Sequence, residues 1–337
     1  MNKEFNREKQ LLAVMLLCGA TLLTGCGTVI EDDIDDAWND GDPNLSVRFD
    51  WSQAASARPA SMALAVFADG AQPVQTAFSG RDGGRLVLSS GTYRLISFND
   101  DTESLFSRGS SWSSFEIYSQ VTSLSEATRD TRIFQNTRSI PVARGTEDEP
   151  VIFEPDELWT SSLAESSVGS DFLTTVVMPM RPTISTYSFT VRHVENLEYA
   201  VEVVASLSGM SGSWLPAAHV PSDTHCIIPF IFHEQNGTLE GTVSTFGHCP
   251  GEGDSHAKHL LTIYAEMKDG SKVFFTTDVT NAMHDANHLN PTDGGTGNTT
   301  VPIVIDTLPL PTPVTEGSGM QPSVVEWQEI NVVVPMN

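Results

Sequence analysis

Apolar and polar side chains alternate with a period of two in segment after segment of this chain, and no stretch keeps a 3.6-residue period over a full helix length. Leu45-Ser46-Val47-Arg48-Phe49-Asp50-Trp51 is one such run, and Thr92-Tyr93-Arg94-Leu95-Ile96-Ser97-Phe98 is another. Successive side chains on a strand point to opposite faces, so each run offers one face to a core and one to water. Residues 62–67 are apolar throughout yet few, as in a strand buried on both faces. Residues 85–88 lead through the turn Ser89-Ser90-Gly91 into the next run, and residues 114–118 and 151–153 read as shorter strands. Pro155-Asp156-Glu157-Leu158 has the residues of a single helical turn.

A second block of strands is expected over residues 173–180, 183–193, 199–207, 226–233, 238–246, 260–268 and 272–277. Asn236-Gly237 between two alternating runs marks a tight hairpin, because both residues tolerate positive φ, and Asp269-Gly270 repeats the signal. The serine-rich stretch 161–170, with Gly169, marks the boundary between blocks. The fold class this implies is all-β, with two β-sandwiches in tandem over residues 45–165 and 170–300. Residues 301–337 contain no Lys or Arg and hold strand-like runs at 301–305 and 327–334. This tail either completes the second sandwich or lends a strand to another chain.

The amino-terminal segment speaks to location. Residues 1–10 are polar and net basic, and residues 11–25 form an apolar run too short to span a bilayer core of ~30 Å, the pattern of a secretory signal. Its end, Leu23-Thr24-Gly25-Cys26, resembles the bacterial lipobox, which implies lipidation of Cys26 and an anchored, non-spanning protein. Residues 26–44 then carry Glu31, Asp32, Asp33, Asp35, Asp36, Asp40 and Asp42 with no basic residue, as a solvated tether would. Without residues 1–25 the chain has 15 basic against 41 acidic residues, a balance of −26. Passive binding to nucleic acid is excluded at that charge, since it needs clustered Lys and Arg.

Few residues point to chemistry. Cys226 and Cys249 flank the Asn236-Gly237 hairpin, and in an oxidising compartment the expectation is a structural disulfide contributing about 3 kcal/mol. The pairs His225-Cys226 and His248-Cys249 raise zinc as the alternative, although adjacent strand residues face opposite ways. His284 and His288 are four apart but sit in loop-like sequence, where solvated histidines are expected. His233-Glu234 begins a zinc-protease motif, yet Gly237 stands where its second histidine belongs. Gly209-Met210-Ser211-Gly212-Ser213 approaches a nucleophile elbow and fails at Ser213. Asn99-Asp100-Asp101-Thr102-Glu103 is an acidic turn without calcium-loop spacing, and no Gly-rich phosphate loop is present. Neither a catalytic constellation, a metal set nor a cofactor is expected. Trp51, Trp112, Trp159, Trp214 and Trp327 are aromatics of the kind that stack on sugars; Trp112 and Trp214, in Ser/Gly-rich sequence, are the better glycan-contact candidates.

Phe78-Ser79-Gly80-Arg81-Asp82-Gly83-Gly84, residues 86–88, Gly91-Thr92-Tyr93 and Ser97-Phe98-Asn99-Asp100-Asp101-Thr102-Glu103 together resemble the fimbrillin-like lipoproteins of Bacteroides-type bacteria. The likeness extends over most of residues 26–337 and contains no catalytic motif. It implies two transthyretin-like sandwiches, a lipid anchor in the outer membrane with surface exposure, and a role in fimbria anchoring or adhesion, with fimbrial subunits met by strand addition. Shaft subunits of that family are cleaved at an arginine near the mature amino terminus. Here the first basic residue after Cys26 is Arg48, inside the first strand, so an anchor or accessory subunit is the expectation. A glycan-binding surface lipoprotein is the alternative.

Overall fold

A computed structural model describes residues 42–137, 139–250, 258–287, 301–312 and 326–330. Strand Leu45–Asp50 is the centre of a three-stranded sheet, antiparallel to Gly83–Leu86 and parallel to Thr174–Pro179. Opposite it lies a five-stranded sheet in the order Arg181–Pro182, Trp159–Val168, Gly91–Asn99, Ser61–Ala68, Val74–Ser79. The alternation in the first strand sends Leu45, Val47 and Phe49 inward, where they meet Met62, Leu64, Val66 and Leu95. Gly83, at φ +95°, is required where the sheets close, because a Cβ there would sit 2.2 Å from the Val47 carbonyl oxygen.

The apolar run of strand Ser61–Ala68 is accounted for by burial on both faces. Ala63, Ala65 and Phe67 turn away from the first core and pack, with Ile96 and Phe98, against Phe115, Ile117, Trp214 and Phe246. Ile117 and Trp214 belong to a third layer, the sheet Leu105–Arg108, Glu116–Ser119, Ser213–Leu215, Val220–Pro221. Each large side chain buried in this seam contributes on the order of 1.5–3 kcal/mol. Within that third layer the backbone joins distant parts of the chain, since Ser213 and Trp214 pair with Tyr118 and Ile117.

A second sandwich packs a four-stranded sheet, His233–Gln235, Thr238–Thr245, Ser185–Val191, Val301–Ile305, on a larger sheet centred on Leu260–Met267, Ala200–Ser211 and His225–Ile231. Tyr187, Phe189 and Val191 from one face Leu207, Ile228, Phe230 and Ile263 from the other. Asn236 and Gly237 have φ of 54° and 79°, the geometry a two-residue hairpin needs. At the second hairpin Gly270, φ 80°, takes the left-handed position, and Asp269 Oδ1 accepts from the Ser271 backbone N–H at 2.9 Å. The far face of the larger sheet is covered by Leu124, Ile133 and Phe134, which pack on Val204, Ile227 and Tyr264.

The strand-dominated expectation is met. Three details differ from the sequence reading. The stretch 161–170 is not a linker but lies mainly within strand Trp159–Val168, and Thr174–Pro179 pairs with Leu45–Asp50 of the first core. Pro155–Leu158 forms no helical turn; Asp156 instead accepts from the backbone N–H groups of Glu103 and Ser104. Thr280–Asn287 is a helix where loop was expected, because Met283 is fully buried in the second core and anchors one face of it. The described parts of the tail join their own chain's sheets: Val301–Ile305 runs parallel to Ser185–Val191, and Trp327–Glu329 runs parallel to Lys272–Asp278.

Candidate functional site

One end of the second sandwich gathers the titratable side chains, and a β-bulge organises it. Strand Ala200–Ser211 pairs Leu207 with Ile228 and then Met210 with Cys226, so one extra residue is inserted at Ser208-Gly209. Gly209 has φ +79°, and a Cβ there would lie 2.3 Å from the Lys258 carbonyl oxygen. Its N–H donates to Glu149 Oε2 at 2.9 Å. Beyond the bulge Met210 forms an isolated bridge to His248, and Ser211 N–H donates to the Gly247 carbonyl at 2.9 Å. The Gly-Met-Ser-Gly-Ser stretch is thus a bend that steers the strand end towards His248.

Three histidines converge there. His248 follows the end of one sheet, His259 precedes strand Leu260–Met267, and His284 is on helix Thr280–Asn287. One ring nitrogen from each lies within 4.8 Å of the others. The Nε2 atoms of His259 and His284 are 3.3 Å apart, and Tyr187 Oη is 2.8 Å from His248 Nε2. The rings meet at steep angles of 85°, 63° and 66°, with centroids 4.4, 4.9 and 5.2 Å apart. The backbone of His259 also locks the helix in place: its N–H donates to Thr280 Oγ1 and its carbonyl accepts from Val279 N–H, both at 2.9 Å.

His259 is 1% exposed. Burial holds its imidazole down at about 4; His284 pushes the same way, while the Ser208 carbonyl and Asp278 pull weakly upward. At neutral pH it is uncharged and keeps a lone pair. Its Nδ1 is buried without a hydrogen bond of ordinary geometry, the Ser208 carbonyl being its neighbour. Three converging imidazoles form a donor set suited to zinc, copper, nickel or iron. Sequence spacing hides this set, because the members are 11 and 25 positions apart on separate elements. The one available hint is crowding: every histidine except His193 falls between His219 and His288. The solvated-loop reading of His284 is therefore corrected, and His288 lies outside the described residues.

The expected Cys226–Cys249 disulfide is not formed; both thiols are free and buried. The chain crosses from one sheet to the other near Phe232, so strand His225–Ile231 is not a ladder partner of Thr238–Thr245. Met210 instead stands between Cys226 and His248, about two strand spacings of ~4.8 Å. Burial raises the Cys226 thiol well above the usual range, with Cys249 and Glu149 adding to it, and burial likewise lifts Cys249 to about 12.

The tryptophans are also redistributed. Trp214 is 5% exposed, sits in the inter-sheet seam and meets His219 edge-on at 5.1 Å, which removes it as a sugar platform. Trp112 is half-buried on a 3₁₀ turn and packs against the same seam. Trp51 is core, as expected, and packs edge-on against half-buried Trp159 with centroids 6.0 Å apart. Trp159 lines an open polar cleft of about 960 Å³ together with Gln53, Arg58, Asn99, Asp101 and Glu103. In the acidic turn, Asp101 accepts from Ala60 N–H and Asn99 Nδ2, so its carboxylate serves the local backbone. Cys26 lies outside the described residues.

A family model described as a domain of unknown function, DUF5119, matches residues 41–230, more than half of the chain. The chain belongs to this family. No curated protein matches it. Among solved structures, 88% of this DUF5119 chain covers the whole of a candidate adhesin from Bacteroides ovatus, at 20% identity and a TM-score of 0.62. It is also similar, over 79% of its length and 91% of the other, to a candidate polysaccharide-binding protein from Bacteroides thetaiotaomicron, at 12% identity and a TM-score of 0.50. A third match, over 78% of this chain and 88% of the other, is the fimbrial anchor protein Mfa2 from Porphyromonas gingivalis, at 11% identity and a TM-score of 0.45. At these identities the likeness is one of fold, and it falls in the adhesin group to which the sequence resemblance pointed.

Proposed function

We propose that this chain is a surface lipoprotein acting as an anchor or accessory subunit of an adhesive or fimbrial structure, working by contact and not by catalysis. The observation carrying this reading is the fold shared with the whole of the Bacteroides ovatus candidate adhesin. The lipobox-like end at Cys26 and the acidic tether of residues 26–44 support a lipid anchor in the outer membrane and a body held away from the bilayer. The first β-sandwich, which runs on through Thr174–Pro179, and the second, which includes Ser185–Val191 and Val301–Ile305, would serve as the two modules. The charge of −25 fits partners other than nucleic acid.

A contact surface for a fimbrial subunit is strand Thr174–Pro179, which is an edge among the described residues; Val177 on it and Phe172 and Leu173 just before it are 51%, 65% and 42% exposed. An incoming strand would extend the three-stranded sheet there. Protease shaving of intact cells, followed by pull-down of the retained protein, tests the proposal. Wild type should incorporate labelled palmitate and bring down a fimbrial subunit. Cys26→Ala should lose the label, and Leu173→Asp/Val177→Asp should lose the subunit while folding normally. An unlabelled protein free in the medium overturns the anchor; capture that ignores the edge substitutions overturns strand addition.

A second reading, a glycan-binding surface lipoprotein, is favoured by the Trp159 cleft, which combines an aromatic face with amide, guanidinium and carboxylate groups. A glycan array discriminates: saturable binding that disappears in Trp159→Ala selects this reading, and no binding by wild type removes it.

A further inference from the structure

We infer that His248, His259 and His284 form a binding site for a single divalent transition-metal ion of the zinc class. Zinc–imidazole bonds of ~2.0–2.1 Å place neighbouring nitrogens of a tetrahedral site ~3.3–3.4 Å apart. The 3.3 Å between the Nε2 atoms of His259 and His284 has that length. The third nitrogen is within 4.8 Å of both, close enough for side-chain rotation of half-buried His248 to complete the set. Stacked rings would turn their nitrogens past one another; rings at 63–85° present them to a common point.

The surroundings suit a metal better than a hydrogen-bonded histidine core. His259 Nδ1 is buried with the Ser208 carbonyl beside it and no closer partner. Metal-bound imidazoles generally direct the second N–H to such a carbonyl, so coordination through Nε2 fixes the tautomer that gives Nδ1 its donor role. Glu149 is spent on the Gly209 N–H, and the ligand atoms that converge here are the three imidazole nitrogens. Tyr187 Oη lies 2.8 Å from His248 Nε2 and steadies that ring, and water would fill the remaining coordination position.

The consequence is structural. One ion would tie together the segment after strand Thr238–Thr245, the start of Leu260–Met267 and helix Thr280–Asn287, which follow one another in the chain but belong to two different sheets and a helix. A metal that binds only the folded form raises stability by mass action.

The test uses the full chain in detergent, stripped with EDTA and dialysed against zinc chloride. Wild type is expected to retain one equivalent of zinc after washing and to show a higher thermal midpoint with the ion. Cobalt(II) in its place should give the intense visible bands of a tetrahedral site. His259→Gln and His284→Gln, with unchanged circular dichroism, should each weaken zinc binding roughly tenfold or more. His284→Gln guards against misfolding, since His284 is only half-buried. Wild type that holds no more zinc than His248→Gln/His259→Gln/His284→Gln, or that gives only octahedral cobalt spectra, overturns the site.

Discussion

Lys272 Nζ donates to the Gln135 carbonyl at 2.7 Å from a side chain that is 4% exposed. It also donates to Ile133, pairs with Glu266 Oε2 at 3.5 Å, and lies 5.9 Å from the centre of the Trp327 ring. A buried ammonium thus fastens the covering segment to the outer face of the large sheet. Removing one partner of such a set strands the others, so Lys272→Met should cost about 3 kcal/mol. Glu266→Gln added to Lys272→Met removes the stranded charge and should restore part of the loss. Urea unfolding of the two variants checks this, and a double variant no more stable than the single would refute it.

Tyr264 gives the molecule an alkaline limit. Burial raises its phenol from 10.0 to about 12, against smaller opposing effects from Ser206 and Thr262, and Oη donates to the Pro141 carbonyl at 2.7 Å. Because the folded value is above the unfolded one, its contribution is complete below pH 10 and is lost as pH rises from 10 towards 12. The two-unit difference corresponds to at most about 3 kcal/mol. Tyr264→Phe should lower stability by about 1 kcal/mol at pH 8 and flatten the decline above pH 10. Unfolding free energies measured from pH 8 to 11 decide it.

The tail should divide into two parts on truncation. Ile303, Ile305, Leu308 and Leu310 are buried in the second core, whereas Trp327–Glu329 extends a sheet edge and contributes one half-buried side chain, Trp327, against Phe134 and Tyr264. Deleting residues 323–337 should leave a folded protein with a lower thermal midpoint. Deleting residues 301–337 should abolish cooperative unfolding. If the longer deletion melts like the shorter one, the strand Val301–Ile305 is dispensable and available to another chain.

Gly209 and Gly237 have the same φ of +79° but different surroundings. Gly237 has nothing within 4 Å of its would-be Cβ, so Gly237→Ala should cost only the left-handed strain, about 1–2 kcal/mol. Gly209→Ala adds a collision with the Lys258 carbonyl and should cost clearly more, displacing His259 as well. Paired denaturation curves would show the difference; equal losses would mean that the bulge relaxes freely.

Local signals were strong enough to read the hairpin at Asn236-Gly237, the alternating strands and the doubly buried run of Ser61–Ala68 from residues alone. Each depends on neighbours a few positions away. The pairing of Leu45–Asp50 with Thr174–Pro179 is parallel and joins segments more than a hundred positions apart, so no turn residue announces it. Trp214 looked solvent-facing because Ser and Gly flank it, yet those small residues let two sheets close over the indole. Helix Thr280–Asn287 has poor intrinsic propensity and is held by one buried methionine and by the backbone of His259. The histidine triad depends on that helix and on the Gly209 bulge together, and neither has a pattern visible along the chain.

The first strand has one further property, which is mechanical. Leu45–Asp50 is flanked on both sides, with six consecutive residues matched to Thr174–Pro179. A pull on the backbone ahead of Asn44 runs along this strand and strains its rungs in shear, all at once, where peeling would break them singly. A body tugged by its leading end while gripped elsewhere would hold at its best-braced strand, and would give way only when that ladder ruptured whole.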